Sequence, residues 1–175
     1  MISRKECLDL LEKHSVPENV AKHVQAVEKV AVFLAEKMKK NGEKADAGLV
    51  RSGALLHDIG KIAALKQGAM ENIVSRKILE KEGLKKEAII AFRHMPSMIL
   101  QENFRNWSLE EKIVFYADKR VKHNEIVGVK ERMNDLMERY PQGREIFEKA
   151  LPLVLELEKE LLSKAKATEN LEGLE

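Results

Sequence analysis

The chain is expected to fold as an all-α helical bundle, on three observations. Long stretches are rich in Ala, Leu, Glu, Lys and Arg, with only 9 Gly and 4 Pro to break them, and these residues lose little freedom in a helix. Apolar residues recur at helical spacing, and no alternation is long enough to build a sheet. No internal repeat or low-complexity linker divides the sequence, and a length of 175 residues suits one buried core rather than two. One domain is therefore expected over 1–166, with 167–175 as a fraying tail.

A first helix is expected around Ser3 to Lys13. Ser15 and Glu18 then offer a capping box, the Ser15 hydroxyl accepting from the Glu18 amide while the Glu18 carboxylate reaches back, to open a long helix to about Lys40. Asn41 and Gly42 tolerate positive φ and stop it. Asp46 is placed to cap the next helix, which carries Leu49, Val50, Leu55 and Leu56 toward His57 and Asp58 and ends near Gly60. Gly48, Gly53 and Ala54 make one side of that helix thin, as close packing against a neighbour requires. Further helices are expected from Met70 to Glu82, closed by Gly83, and from Lys85 to Met95, closed by Pro96. An irregular stretch follows from Pro96 to Trp107. Ser108 and Glu111 form a second capping box, opening a helix with Ile113, Val114, Ala117 and Val121 on one face. Two more helices follow, Gly128 to Tyr140 and Gln142 to about Ala165, the latter bent at Pro152. In the last, Ile146, Phe147, Leu151, Val154, Leu155, Leu157 and Leu161 cover more than one face, enough to complete the core or to form a homodimer.

The formal net charge of +2 gives no global field to draw the chain onto nucleic acid or anionic lipid. Basic pairs such as Lys39-Lys40 and Lys85-Lys86 sit among glutamates and read as solvated helix faces. No apolar run approaches the roughly 18 residues of a membrane span, and the stretch from Met1 to His14 lacks the apolar core of a signal peptide, so a cytoplasmic location and no membrane partner are expected. Cys7, the sole cysteine, excludes an intramolecular disulfide and a cysteine-rich zinc site, and reads as a small apolar residue of the first helix.

Some polar residues stand where apolar ones belong. On the long helix the stripe Val20, Val24, Val27, Ala31, Leu34 and Met38 also contains His23, which points inward as a ligand or as a core histidine bonded to a carbonyl. Asp118, four residues after Val114 and three before Val121, faces the interior of its own helix. A buried carboxylate suffers a desolvation cost of several kcal/mol unless it meets a lysine or arginine, several hydrogen bonds or a metal. His57 and Asp58 are a third anomaly. Helix neighbours point about 100° apart, so both reach one ion only if it sits across the helix surface between them. Two imidazoles and two carboxylates from three helices offer a mixed nitrogen and oxygen shell suited to manganese, iron, cobalt, nickel, zinc or magnesium.

A histidine on one helix, a His-Asp pair on the next and an aspartate much later resembles the HD superfamily of metal-dependent phosphohydrolases. The run Leu55-Leu56-His57-Asp58-Ile59-Gly60-Lys61 looks like the HDIG form of its central motif, and the segment from Ser108 to Arg120 resembles the helix carrying the last ligand. The resemblance implies that His23, His57, Asp58 and Asp118 are metal ligands and that the metal-site core spans about 18–123. In members holding two metals, further histidines lie between the central pair and the last aspartate. The first falls in a segment that here reads Met70-Glu71-Asn72-Ile73-Val74, with no histidine, whereas His94, before Met95-Pro96, resembles the second. One tightly held divalent ion is therefore expected. A second would need Glu71, which otherwise reads as an ordinary first-turn carboxylate.

The reaction implied by the resemblance is hydrolysis of a phosphate ester by a metal-activated water, with Asp58 as orienter or base for that water. Phosphate also needs donors from the protein. Lys61, three residues beyond Asp58, faces the substrate in many HDIG-type proteins and is the first candidate. Arg93, His94 and Lys122 come next, Arg51 reads as a salt-bridge partner, and Lys119 and Arg120 are expected to face solvent. The expected partner is a small, nucleotide-like phosphorylated substrate, such as a nucleoside monophosphate or another phosphomonoester, with no strong nucleic-acid signature. The alternatives are a cyclic-phosphate or dinucleotide phosphodiesterase, and a non-catalytic regulatory protein that binds nucleotide or phosphate through the metal.

Overall fold

The computed structural model describes residues 2–174. Helix α1 (Arg4–Lys13) opens on a capping box in which the Ser3 hydroxyl accepts from the Glu6 amide and the Glu6 carboxylate accepts from the Ser3 amide. The long helix α2 (Glu18–Lys40) starts differently from expectation. Its N-cap is Pro17, and no side chain caps it. Ser15 instead adopts a left-handed conformation (φ 53°), turning the chain at the end of α1 while its amide donates to the Glu12 carbonyl. The fixed φ of Pro17 presets the following turn for helix, so the hydroxyl is not needed there.

Asp46 caps α3 (Ala47–Leu56) as expected, its Oδ1 accepting from the amides of Gly48 and Leu49. The helix stops one residue before His57, and the turn His57–Gly60 leads straight into a short helix not anticipated from sequence, α4 (Lys61–Gln67). Next come α5 (Glu71–Lys81), closed by Gly83 at φ +78°, and α6 (Lys85–Arg93). The stretch expected to be irregular holds α7 (Met98–Gln101) and a single 3-10 turn at Phe104–Asn106. The Ser108–Glu111 capping box forms and opens α8 (Leu109–Asp118). A two-residue hairpin, β1 (Val121–Lys122) paired antiparallel with β2 (Glu125–Ile126), follows it. The chain ends with α9 (Val129–Arg139) and α10 (Arg144–Ala165), which continues through Pro152.

The layers are set by which faces are apolar. The α2 stripe packs on α3 and α8, α3 packs on α6 and α8, and α10 lies against α2, α8 and α9. Phe147, Val154, Leu157 and Leu161 of α10 are buried in that core, so its broad apolar surface completes the bundle. The thin side of α3 serves a close contact: a Cβ on Gly53 would lie 2.7 Å from Cδ1 of Ile90 on α6. Part of the tail expected to fray touches the bundle. Leu171 is buried, and the Glu169 carbonyl accepts from the Arg120 guanidinium, because a buried arginine needs acceptors wherever the chain can offer them. No helix among the described residues is long and apolar enough to cross a membrane. Cys7 is buried, and burial pushes its thiol up to about 12, an apolar core residue as expected.

Gly60 fixes the site's shape. Its amide donates to Ser75 Oγ at 3.0 Å, and a Cβ there would stand 2.4 Å from the Ser75 amide nitrogen, a backbone atom that cannot swing aside. Gly60→Ala is therefore expected to cost about 1–3 kcal/mol, read as a fall in melting temperature of about 2–4 °C per kcal/mol. Gly128→Ala, where nothing lies within 4 Å of the added carbon, is the control and should leave the melting temperature unchanged.

Candidate metal centre

Two helices and one turn bring the expected ligands together. His23 comes from the second turn of α2, His57 and Asp58 from the turn after α3, and Asp118 from the last residue of α8. All four are buried. One ligand atom each from His23, His57 and Asp58 lies within 4.8 Å of the others. Asp118 joins them, its Oδ1 standing 3.1 Å from His23 Nε2 and 3.8 Å from His57 Nε2.

The hydrogen bonds around this point fix which atoms face it. Nδ1 of His23 bonds the His123 carbonyl at 2.7 Å, Nδ1 of His57 the Ala54 carbonyl at 2.7 Å, and Nδ1 of His94 the Ala91 carbonyl at 2.6 Å. A carbonyl can only accept, so each Nδ1 carries the proton and, in the neutral ring, each Nε2 presents a lone pair. The carboxylates are divided in the same way. Asp58 Oδ2 accepts from Lys61 and Asp118 Oδ2 from Lys119, both at 2.6 Å. Each Oδ1 is thereby turned toward imidazoles: Asp58 Oδ1 lies 3.5 Å from His57 Nε2 and 3.4 Å from His94 Nε2. His23 Nε2 lies within hydrogen-bond distance of Asp118 Oδ1, but at His57 and His94 the lone pairs meet carboxylate oxygens, and His57 Nε2 is a buried nitrogen without a hydrogen-bond partner. That arrangement repels unless a cation occupies its centre. The donor set fits a divalent ion held by two imidazole nitrogens and two carboxylate oxygens, with carbonyl-oriented histidines as such sites require.

Charge states agree with the geometry. Burial alone would raise both aspartates, but the Lys61 ammonium beside Asp58 and the Lys119 ammonium beside Asp118 oppose it, and both are held well below the usual carboxylate range. Burial lowers His57, and it lowers His94 to about 4 with help from neighbouring His57, keeping both neutral and able to donate electron pairs.

Lys119 departs from expectation. It is fully buried rather than solvent-facing, donating to Asp118 and, at 2.6 Å, to the His94 carbonyl. Arg120 is buried too, bonding Tyr116, the Val127 carbonyl and the Glu169 carbonyl. Arg93 and Lys122 are not brought into the cavity that opens on the site. Arg93 is held by Glu102 and Glu111 against the Trp107 ring, and Lys122, carried off by the hairpin, points to Glu131 at 3.6 Å. Arg51 forms the expected salt bridge, 3.5 Å from Glu28. Lys61 and His94 do line the cavity, of about 330 Å³, together with His23, Asp58 and Asp118.

Glu71 lines it as well. It is more than a first-turn helix carboxylate: its Oε1 is buried without a hydrogen-bond partner, 3.7 Å from Lys61 Nζ, and it makes a second potential ligand group with Asp58 and His94. Burial and the neighbouring Asp58 charge raise its carboxyl to about 9. The α4 turn, unseen in the sequence, brings α5 back over the site. Two arginines that the sequence did not single out, Arg132 and Arg139, also line this cavity; their one signal was a spacing of three and four residues from Asp135 on α9.

The HD domain family model matches residues 20–121. An uncharacterized protein of Methanocaldococcus jannaschii is 36% identical over 132 residues, covering 66% of this chain and 77% of its own length. Proteins named tRNA (cytidine(56)-2'-O)-methyltransferase match from Thermoplasma volcanium, 34% identical over 138 residues and 69% of this chain, and from Picrophilus torridus, 30% identical over 141 residues and 74% of this chain. The chain spans only 39% of the length of either methyltransferase. No solved structure matches the chain.

The metal-free protein should be most stable near pH 6.5. Below the ordinary histidine value of 6.5, the unfolded chain gains protons that buried His57 and His94 refuse, and stability falls toward pH 4. Glu71 acts oppositely. Its folded value of about 9 lies above its ordinary 4.5, so its contribution is complete below 4.5 and is lost as pH rises toward 9. Between 4.5 and 6.5 the two histidines outweigh it, and just above that range it sets the trend, before buried Lys119 and Cys7 contribute toward the alkaline end. Thermal melts of chelator-treated protein from pH 4 to 9 should trace this maximum, and Glu71→Gln should flatten the alkaline limb only.

Proposed function

Because the chain belongs to the HD-domain family, we propose that it is a metal-dependent phosphohydrolase that cleaves a small phosphate ester, a nucleotide or another phosphomonoester, with one divalent ion. The observation that carries the reading is the gathering of His23, His57 and Asp58, with one ligand atom each within 4.8 Å of the others, beside Asp118, both carboxylates being tethered by a lysine on their other oxygen. His23 and His57 would hold the ion through Nε2, Asp58 and Asp118 through Oδ1. Bound there, a divalent ion lowers the pKa of water and polarises a phosphoryl oxygen.

The chain's own residues supply the rest. Asp58, held ionised across the neutral range, can accept a hydrogen bond from the attacking water and orient it. Lys61 holds Asp58 in place with one N–H and has two more to offer a phosphate oxygen. Its side chain is 38% exposed, and the cavity is where it is exposed. Burial opposes its charge, but Asp58 and Glu71 outweigh burial and hold Lys61 above the usual lysine range, so it stays a cation. His94, neutral and packed edge-on against His57 at 5.1 Å, walls the site on the side of α6.

Two relatives named as tRNA methyltransferases favour, as a second reading, an ester drawn from RNA, such as a cyclic phosphate at an RNA end. A phosphatase and cyclic-phosphodiesterase screen with manganese, cobalt, nickel and magnesium separates the two by product. Elemental analysis should find about one ion per chain, absent with all activity from a His57→Ala, Asp58→Ala double variant. Lys61→Met should retain the ion and lower kcat by about 10²- to 10³-fold, the loss expected for one donor to transition-state charge. An ion retained with no product from any ester would make the chain a phosphate- or nucleotide-binding regulator instead.

A further inference from the structure

The cavity has a second half that the metal ligands do not build. Its wall is made by α9 and the start of α10, beyond residue 121 where the family match ends. Arg132, 8% exposed, gives one N–H to Asp135 at 2.6 Å while its Nε is buried with no hydrogen-bond partner. Arg139 leans on the same Asp135 oxygen at 3.5 Å. One carboxylate thus serves two guanidiniums, which leaves a positive charge and an unused buried donor on the wall. Both arginines also line a neighbouring cavity that shares His23, Asp58 and Lys61 with the first. Beside them the wall turns apolar, with Leu136, Tyr140, Ile146 and Phe147. Tyr140 and Ile146 are among the large apolar side chains left exposed, and both are exposed here.

An unpaired buried guanidinium donor costs stability unless an anion comes to it, and an exposed apolar wall beside it needs a flat or apolar group to cover it. We propose that this half of the cavity is the specificity site: Arg132, assisted by Arg139, anchors the phosphate on the side away from the metal ligands. The slot of Leu136, Tyr140, Ile146 and Phe147 receives an aromatic or heterocyclic alcohol part, so that nucleoside monophosphates are selected over compact phosphate esters. The proposal deepens the phosphohydrolase reading and rests on it for the position of the phosphate. Arg132 and Arg139 act by binding and need no metal to do so.

Calorimetric titration tests it with four probes: adenosine monophosphate, uridine monophosphate, glycerol 2-phosphate and inorganic phosphate, on protein with and without manganese. Wild-type protein should bind the nucleoside monophosphates at least about tenfold more tightly than glycerol 2-phosphate. Ile146→Asp should erase that preference. Arg139→Ala, at a side chain 41% exposed and removable without a cavity, and Arg132→Lys should weaken every phosphate probe by about tenfold or more while metal content stays at the wild-type value. Equal affinity for compact and nucleoside phosphates, or arginine variants that bind like wild type, would overturn the proposal even if glycerol 2-phosphate is hydrolysed and the phosphohydrolase reading stands. Arginine-dependent binding of nucleoside monophosphates with no turnover in any metal would uphold the site and sink the hydrolase.

Discussion

Asp58 and Asp118 are carboxylates taken almost wholly out of water and turned toward the same imidazole nitrogen, His57 Nε2. Each alone would cost several kcal/mol to bury ionised, and together they repel. Both are answered on one oxygen only: Lys61 takes the Oδ2 of Asp58, and Lys119 takes the Oδ2 of Asp118. This half-compensation constrains much of what surrounds it. Lys119 must go into the core with its aspartate, and it needs the His94 carbonyl as a further acceptor. That ties the end of α8 to the end of α6 and so places the His94 ring against His57. Lys61 must lie three residues past Asp58 at the start of a helix, which demands the tight Gly60 turn against Ser75.

The same constraint sets the charge of the cavity. With each buried carboxylate already matched by a lysine, the charge of a divalent ion is left to the ligand that shares the site with it, and the wall of α9 adds to it with two arginines on one aspartate. A cavity so charged favours an anionic ligand over a neutral or cationic one. The low net charge of the whole chain hides this field, because the positive groups are local and inward.

The helices and the inward direction of the polar residues among them were legible for one reason: the helices follow a 3.6-residue period, and those residues depart from it. His23 within a valine stripe and Asp118 between Val114 and Val121 declare their inward direction without any knowledge of neighbours. What was not legible depends on tertiary placement. Lys119 looked solvent-facing because one-dimensional periodicity assigns it to the side of α8, yet the end of α6 covers that side. Arg93 looked poised over the pocket, but Glu102 and Glu111, nine and eighteen residues away, claim it. Lys122 would have lain one turn from Asp118 had α8 continued, and the hairpin after Asp118 removed that premise. Ser15 carried a valid capping pattern that a neighbouring proline made unnecessary. Arg132 and Arg139 sit on a helix whose sequence reads as an ordinary charged surface, and only folding turns their side into the cavity.

The absence of a histidine near residue 71 bears on how many ions the site holds. Asp58, Glu71 and His94 do gather as a second group able to bind a metal. Lys61 stands in their midst, 2.6 Å from Asp58 and 3.7 Å from Glu71. A second divalent ion placed there would have to displace that ammonium or face it at close range, and it would lose the imidazole that a two-metal site offers in place of Glu71. Glu71, meanwhile, is pushed toward its neutral form by burial and by the charge of Asp58, which lowers its worth as a ligand until a cation arrives. Both effects favour a single ion, with Lys61 supplying as a fixed ammonium the positive charge that a second ion would bring. An ammonium on a side chain cannot polarise water as a metal does, but it can hold an anionic oxygen at the same place.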